Sequence, residues 1–385
     1  MLSFLKSSLR VLCICSIMLG GFQGVHAAKY RTYIGTYTTD GSSSRGIYVC
    51  EFDTETGALT APVLAAEQVN PSFLAIHPNH STIYCVNEVV EGDGRGNAYV
   101  TALKIETDGS LTKINQQPTL GGAPCHCNVD ATGRSLLIAN YIGGNTVVLP
   151  IEPSGALKPV SSNMVHQGPG PFTPRQPGPH AHSINLSADN RFAYAADLGL
   201  DQILIYQFDA DRGVLSPAAP PSVSVRPGGG PRHFAIHPSG KFAYTNNEIT
   251  LVATAFQRNP EDGSLVVIQD IATTPEKPAD GMSTAECLVH PGGKFLYVSN
   301  RGHESIAVFS IEPQTGLLTR VENEPTGGRE PRNFVIDPSG KWLLAENQNT
   351  DTVKVFSIDA QTGALSPTSH SIDVGRPVCI RMIPR

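Results

Sequence analysis

The chain has 385 residues and a formal net charge of −6, with 40% hydrophobic, 16% charged and 7% aromatic side chains. Its 37 glycines and 30 prolines are numerous but dispersed, which excludes collagen-like and disordered chains and fits a fold of many turns and few long helices. A net acidic chain without a basic cluster gives no support for a nucleic-acid partner, and the length calls for several domains or one repetitive architecture.

At the N-terminus, Lys6 and Arg10 precede an apolar run from Val11 to Leu19, then Gly20, Gly21 and the small-residue stretch Val25-His26-Ala27-Ala28. This three-part order is that of a secretory signal peptide over residues 1–27, which leaves a single domain over 28–385. The run is too short to span a bilayer, and nothing after it resembles a transmembrane helix, so an exported chain without membrane attachment is expected, periplasmic or secreted. Beyond the leader, Cys50, Cys85, Cys125, Cys127, Cys287 and Cys379 show no spacing of a disulfide framework. The sulfurs of Cys125-His126-Cys127 are closer in sequence than the usual zinc pair, so all six read as small core thiols, and neither metal nor cofactor is expected.

From there the sequence repeats. A Gly-x-Leu turn recurs at Gly57, Gly109, Gly155, Gly213, Gly263, Gly316 and Gly363, about fifty residues apart. Ahead of it stands a strand, tight turn and strand, as in Phe234 to Asn247 around His237-Pro238-Ser239-Gly240. The same shape returns at Leu74 to Asn87, Val289 to Asn300 and Val335 to Asn347, and more weakly at Asn128 to Asn140 and Ile184 to Asp197. A third strand such as Ser305 to Ile311 leads into the glycine turn, and a fourth follows it. Four short antiparallel strands per unit and seven units predict an all-β fold, a seven-bladed β-propeller. The first unit lacks its first strand: Tyr33-Ile34-Gly35-Thr36 matches a second strand, whereas Pro377 to Pro384 matches a first. The C-terminal strand is therefore expected to complete the first blade and close the ring.

In such a blade the start of strand one and the end of strand two share one face. Aligned over the units, the first position reads Ser72, Cys125, His182, Arg232, Ala285, Arg332 and Val378, and the second Tyr37, Glu88, Tyr141, Leu198, Glu248, Arg301 and Gln348. Acids, arginines and a histidine far apart in sequence thus converge on one channel mouth. The largest insertions, 91–96, 167–179 and 273–281, fall in connections on that same face, as expected of a binding side. His180 and His182 point the same way along a strand, as a metal pair would, but no third ligand is evident.

Pro179-His180-Ala181-His182, Gly230-Pro231-Arg232-His233, Asn246-Asn247-Glu248, Ser299-Asn300-Arg301-Gly302-His303 and Glu346-Asn347-Gln348-Asn349 resemble the lactonase family of seven-bladed propellers. That family includes bacterial 6-phosphogluconolactonases and fungal carboxymuconate-lactonizing enzymes. The resemblance spans nearly the whole chain beyond the leader, and it implies a catalytic cluster of His182, Arg232, Arg301 and Glu248. Cys125 departs from the alanine more usual before the histidine of the third blade. His180, Glu88, Asn247, Arg332 and Gln348 are expected to contact substrate. Hydrolysis of a lactone needs a base for water and positive charge for the oxyanion; either Glu248 or His182 can be the base, and the arginines suit a carboxylate, a phosphate or the oxyanion. No Gly-x-Ser-x-Gly elbow or dinucleotide fingerprint competes. The expectation is a monomeric sugar-lactone hydrolase acting on a small, anionic lactone. The alternatives are a muconate-type cycloisomerase using the same residues, or a propeller that binds a ligand or protein without catalysis.

Overall fold

Strand chemistry changes from the centre of the molecule to its rim. Second strands such as Thr82–Asn87, Ser135–Asn140, Phe192–Asp197 and Phe242–Asn247 are buried at every position, as strands packed on both faces must be. Outer strands such as Leu265–Ala272 expose much of their length. The computed structural model describes residues 29–385 except 40, 91–97 and 172–174, so the expected signal peptide and the 91–96 insertion lie outside the described residues.

Among the described residues, the strands form seven four-stranded antiparallel sheets, each one blade. Blades two to seven take their strands in sequence order from the centre outward, beginning at Phe73, Pro124, Ala181, Pro231, Ser283 and Pro331. Blade one takes its inner strand, Pro377–Pro384, from the end of the chain and pairs it with Lys29–Thr36, with Tyr30 opposite Pro384 and Gly35 opposite Cys379. The seven blades and the closure are as the repeats predict. The six cysteines are free and buried.

The recurring glycine turns turn out to be the joints between blades. All seven glycines have positive φ, and that of Gly316 is +72°. A Cβ there would lie 2.4 Å from the ring of Phe242 in the preceding blade, so both the backbone conformation and the close approach demand glycine. Tyrosine hydroxyls of five blades donate to these glycine carbonyls in the next blade, for example Tyr244 to Gly316 O at 3.0 Å and Tyr297 to Gly363 O at 2.8 Å. Blade seven is joined to blade one by Trp342, whose indole N–H donates to Thr54 O at 2.9 Å.

One irregularity positions the site. The pairing of inner and second strands slips at Pro124/His126, Ala181/Ser183, Pro231/Phe234, Thr284/Cys287 and Pro331/Asn333, and opposite Gly35/Thr36 in blade one. The residues passed over include Cys125, His182, Arg232, Ala285, Arg332 and Val378, six of the seven positions of the expected ring; blade two, which carries Ser72, pairs without a slip. A bulge leaves its extra residue unpaired and re-aims the side chain, here toward the propeller axis.

Removing residues 376–385 deletes the inner strand of blade one and uncovers the edge of Lys29–Thr36. The truncated protein is expected to aggregate or to lose cooperative thermal unfolding; a melting transition identical to that of the intact chain would contradict closure.

Candidate active site

Glu248 is the centre of the mouth. It follows the second strand of blade five, and its backbone N–H donates to Gly230 O at 2.7 Å, which ties it to the turn preceding Arg232. Oε2 receives Arg232 Nε at 3.0 Å and Arg301 Nη2 at 3.2 Å, and Oε1 receives Arg175 Nη2 at 2.5 Å. Burial pushes the carboxyl upward, but Arg301, Arg232 and Arg175 outweigh it and hold the group at about 2. Glu248 is therefore ionised at any working pH.

The arginines are fixed in turn. Arg232, only 2% exposed, donates Nη1 to Ala285 O at 2.5 Å. Burial, with Arg332 and Arg301 nearby, lowers its guanidinium to about 10, still cationic at neutral pH. Arg301 donates to Thr284 O at 3.1 Å and lies 3.5 Å from Glu330, while its buried Nε has no acceptor. An orphaned buried donor at a channel mouth is available to a ligand oxygen.

Beside this group a narrow cavity is lined by Ser72, Glu88, Cys125, His182, Arg232, Arg332 and Val378, with Phe73, His233 and Asn333 at its base. Here the structure brings together four of the expected site residues. Glu88 accepts the Tyr37 hydroxyl at 2.7 Å and lies 4.0 Å from Arg332, whose guanidinium sits over the Tyr37 ring at 5.2 Å. His182 is buried, with Nδ1 3.8 Å from Cys125 Sγ. Burial, then Arg232 and His233, hold its imidazole well below the ordinary 6.5, so it is neutral. Burial also raises the Cys125 thiol, which points to the carbonyls of His182 and Ala181, so it packs and donates and is no nucleophile.

Beneath the cavity, imidazoles line the channel. The rings of His182 and His233 are 5.5 Å apart, those of His233 and His126 5.4 Å, and Phe73 covers His126 at 4.2 Å. His233 Nδ1 is 2.6 Å from Glu286 Oε1, and Asn333 donates to the other oxygen.

Three of the residues expected to contact substrate have partners within the protein. His180 precedes its strand and stacks on Tyr141 at 4.6 Å, with Nδ1 3.0 Å from Tyr141 O; the bulge at His182 breaks the alternation that would have paired the two imidazoles. Asn247 faces into its blade: its amide donates to Val252 O at 3.0 Å and Thr254 Oγ1 at 2.9 Å. Asn87, Asn140, Asn300 and Asn347 stand at or beside the ends of the second strands of other blades, and their amides donate to carbonyls that follow the outer strand of the preceding blade, so asparagine at this place recurs as a latch. Gln348 begins a short 3-10 turn, where its amide donates to the neighbouring Asn349 at 3.2 Å.

Arg175 was not anticipated. It stands alone in the proline-rich 167–179 insertion, and only that insertion's place on the mouth face pointed to it. Tyr141, which hydrogen-bonds Arg175 and meets His182 edge-on at 5.4 Å, was aligned to the mouth but assigned no role.

Residues 31–382 match the family described as "Lactonase, 7-bladed beta-propeller". Among curated relatives, a 6-phosphogluconolactonase of Bacillus subtilis is 38% identical over 299 residues, 77% of this chain and 82% of that protein. One of Formosa agariphila is 32% identical over 76% of this chain and 82% of its own length. The periplasmic gluconolactonase of Pseudomonas aeruginosa superposes with a TM-score of 0.85 at 33% identity, covering 92% of this chain and 99% of that structure.

Burial depresses all three channel imidazoles, His126, His182 and His233, below their ordinary value. Unfolded, each takes up a proton as pH falls through about 6.5; folded, it resists. Their contribution to stability is thus complete above 6.5 and lost below it, by about 1.4 kcal/mol per pH unit for each imidazole at most. Glu346, buried with both oxygens unpartnered and held well above the carboxylate range, opposes them with one proton. Urea midpoints measured between pH 5 and 8 should therefore fall on the acid side, and a profile that rises toward pH 5 would refute the neutral-imidazole assignment.

Proposed function

Because the chain belongs to the lactonase family of seven-bladed propellers, we propose that it hydrolyses a sugar lactone to its aldonic acid, in the manner of 6-phosphogluconolactonase, at the mouth centred on Glu248. The observation that carries this reading is the contact of one buried carboxylate with guanidiniums of blades five and six, beside a neutral buried imidazole. The site has a proton acceptor, fixed positive charge and limited access to water, which are the requirements of acyl transfer to water.

The electrostatics divide the roles. A carboxylate held at about 2 by three arginines is a poor proton acceptor, so Glu248 holds the guanidiniums in place. His182 takes a proton from water as the water oxygen adds to the lactone carbonyl carbon. Arg232 and the free Nε–H of Arg301 stabilise the resulting oxyanion. On collapse, the bond from carbonyl carbon to ring oxygen breaks, and the imidazolium returns its proton to that oxygen. Around the mouth, the guanidiniums of Arg175, Arg232, Arg301 and Arg332 face the carboxylates of Glu88, Glu248 and Glu330, a local excess of positive charge on an acidic chain. That balance favours an anionic lactone.

Export follows from residues 1–27 and agrees with the periplasmic location named for the Pseudomonas protein. N-terminal sequencing of the native protein should give Ala28 or Lys29; an intact Met1 would count against it.

A panel of lactones assayed by acid release, with muconates followed by ultraviolet absorbance, separates hydrolase from cycloisomerase and from binder. His182→Ala should lower kcat by roughly 10²–10⁴-fold. In the parent enzyme kcat/KM should rise with pH and level off by about 6.5, since only the neutral imidazole accepts a proton. Glu248→Gln should lower kcat and raise KM together while keeping that acid limb. Full hydrolysis by both variants would show that the mouth is no catalytic centre.

A further inference from the structure

The arginines on Glu248 are not equivalent. Arg232 and Arg301 share Oε2, are almost wholly buried, and spend further donors on the carbonyls of Ala285 and Thr284. Arg175 holds Oε1 alone, and 46% of its side chain is exposed. It is the arginine of the three with donors turned to solvent, and Glu248 keeps two guanidiniums if it leaves.

The insertion that carries Arg175 is built to hold it there. The adjacent Gln176 is fully buried, and its amide donates to Leu198 O at 2.7 Å and Asp201 Oδ1 at 2.5 Å. Asp201 also accepts the backbone N–H groups of Gly228 at 2.5 Å and Gly230 at 2.7 Å, in the turn that leads into Arg232. Before the insertion, His166 lies between Asp197, at 2.6 Å, and the Tyr206 hydroxyl, at 3.0 Å. After it, His180 N–H donates to Asp197 Oδ1 at 2.8 Å. The backbones at 170, 178 and 199 approach so closely that a Cβ at Gly170 would lie 1.8 Å from Gly199 O, and one at Gly199 would lie 1.9 Å from Gly178 O.

From this arrangement we infer that Arg175 is the specificity-determining residue of the mouth: it exchanges Glu248 Oε1 for the anionic substituent, phosphate or carboxylate, of an incoming lactone. This rests on the lactonase reading for the identity of the ligand, but not for the geometry of the exchange. The planar fork of a guanidinium suits either anion bidentately. Its release leaves the carboxylate paired with Arg232 and Arg301, and the incoming negative charge relieves the crowding of cations. A neutral lactone offers no such exchange.

Three lactones test this on the mature protein: glucono-1,5-lactone, which is neutral, its 6-phosphate, and glucaro-1,4-lactone, which carries a carboxylate. The readout is the ratio of kcat/KM for each anionic lactone to that for the neutral one. Arg175→Gln should lower the ratio at least fivefold for one or both anions, and Arg175→Lys should recover part of the loss; which anion responds identifies the substituent. A purely structural arginine would lower all three rates and leave the ratios intact, so a change below fivefold for both anions overturns the inference, whatever happens to the absolute rates. Should the parent protein hydrolyse none of the three, the lactonase reading fails separately. Titration calorimetry with 6-phosphogluconate and gluconate then decides: selective weakening of the phosphorylated acid by Arg175→Gln upholds the anion site, and any other result removes it.

Discussion

The slipped pairing at the start of the inner strand, in every blade but the second, is the constraint on which this molecule depends. A regular strand alternates, so it can offer the channel only every second residue. The bulge suspends alternation for one or two residues, so Arg232 and His233 both serve the channel, the first at the mouth and the second beneath it. The same slip in blades three, four and seven delivers Cys125, His182 and Arg332 to one cavity. The repeated scaffold thereby presents a different side chain from each blade without altering the sheet behind it. Such irregularities cost ladder hydrogen bonds, and the cost is distributed over nearly every blade of the ring.

Burying that much charge requires a division of labour. Where carboxylate and guanidinium meet, both stay ionised; where imidazoles stack with only one acidic partner among them, they stay neutral. The low dielectric that separates these states also strengthens any field acting on a bound carbonyl. Glu248 is thus the counter-charge between arginines of blades five and six.

Repetition explains which features could be read from sequence. Strand, turn and strand recur often enough to fix seven blades and the role of the C-terminal strand, because every copy meets the same packing requirement. Departures from the repeat mark the candidate site: at each of the two mouth positions four of the seven blades carry neither charge nor imidazole, and His182, Arg232, Glu248 and Arg301 stand among the exceptions. Asn247 lacks that contrast, since Asn87, Asn140, Asn300 and Asn347 occupy the same place in other blades and also bond within the protein. The bulges left no mark on hydrophobic patterning, so the pairing of His180 with His182 followed a periodicity that the backbone suspends there. Arg175 lies in an insertion without any internal counterpart, and its contact with Glu248 arises only through tertiary packing.

The strand that closes the ring also furnishes part of the channel. Pro377–Pro384 places Val378 in the wall of the cavity that holds His182 and Arg232, and stacks Arg381 over Phe73 at 4.5 Å farther down. One wall of the pocket is consequently supplied by the strand made last, so a chain clipped before Pro377 would lack that wall together with the closing strand.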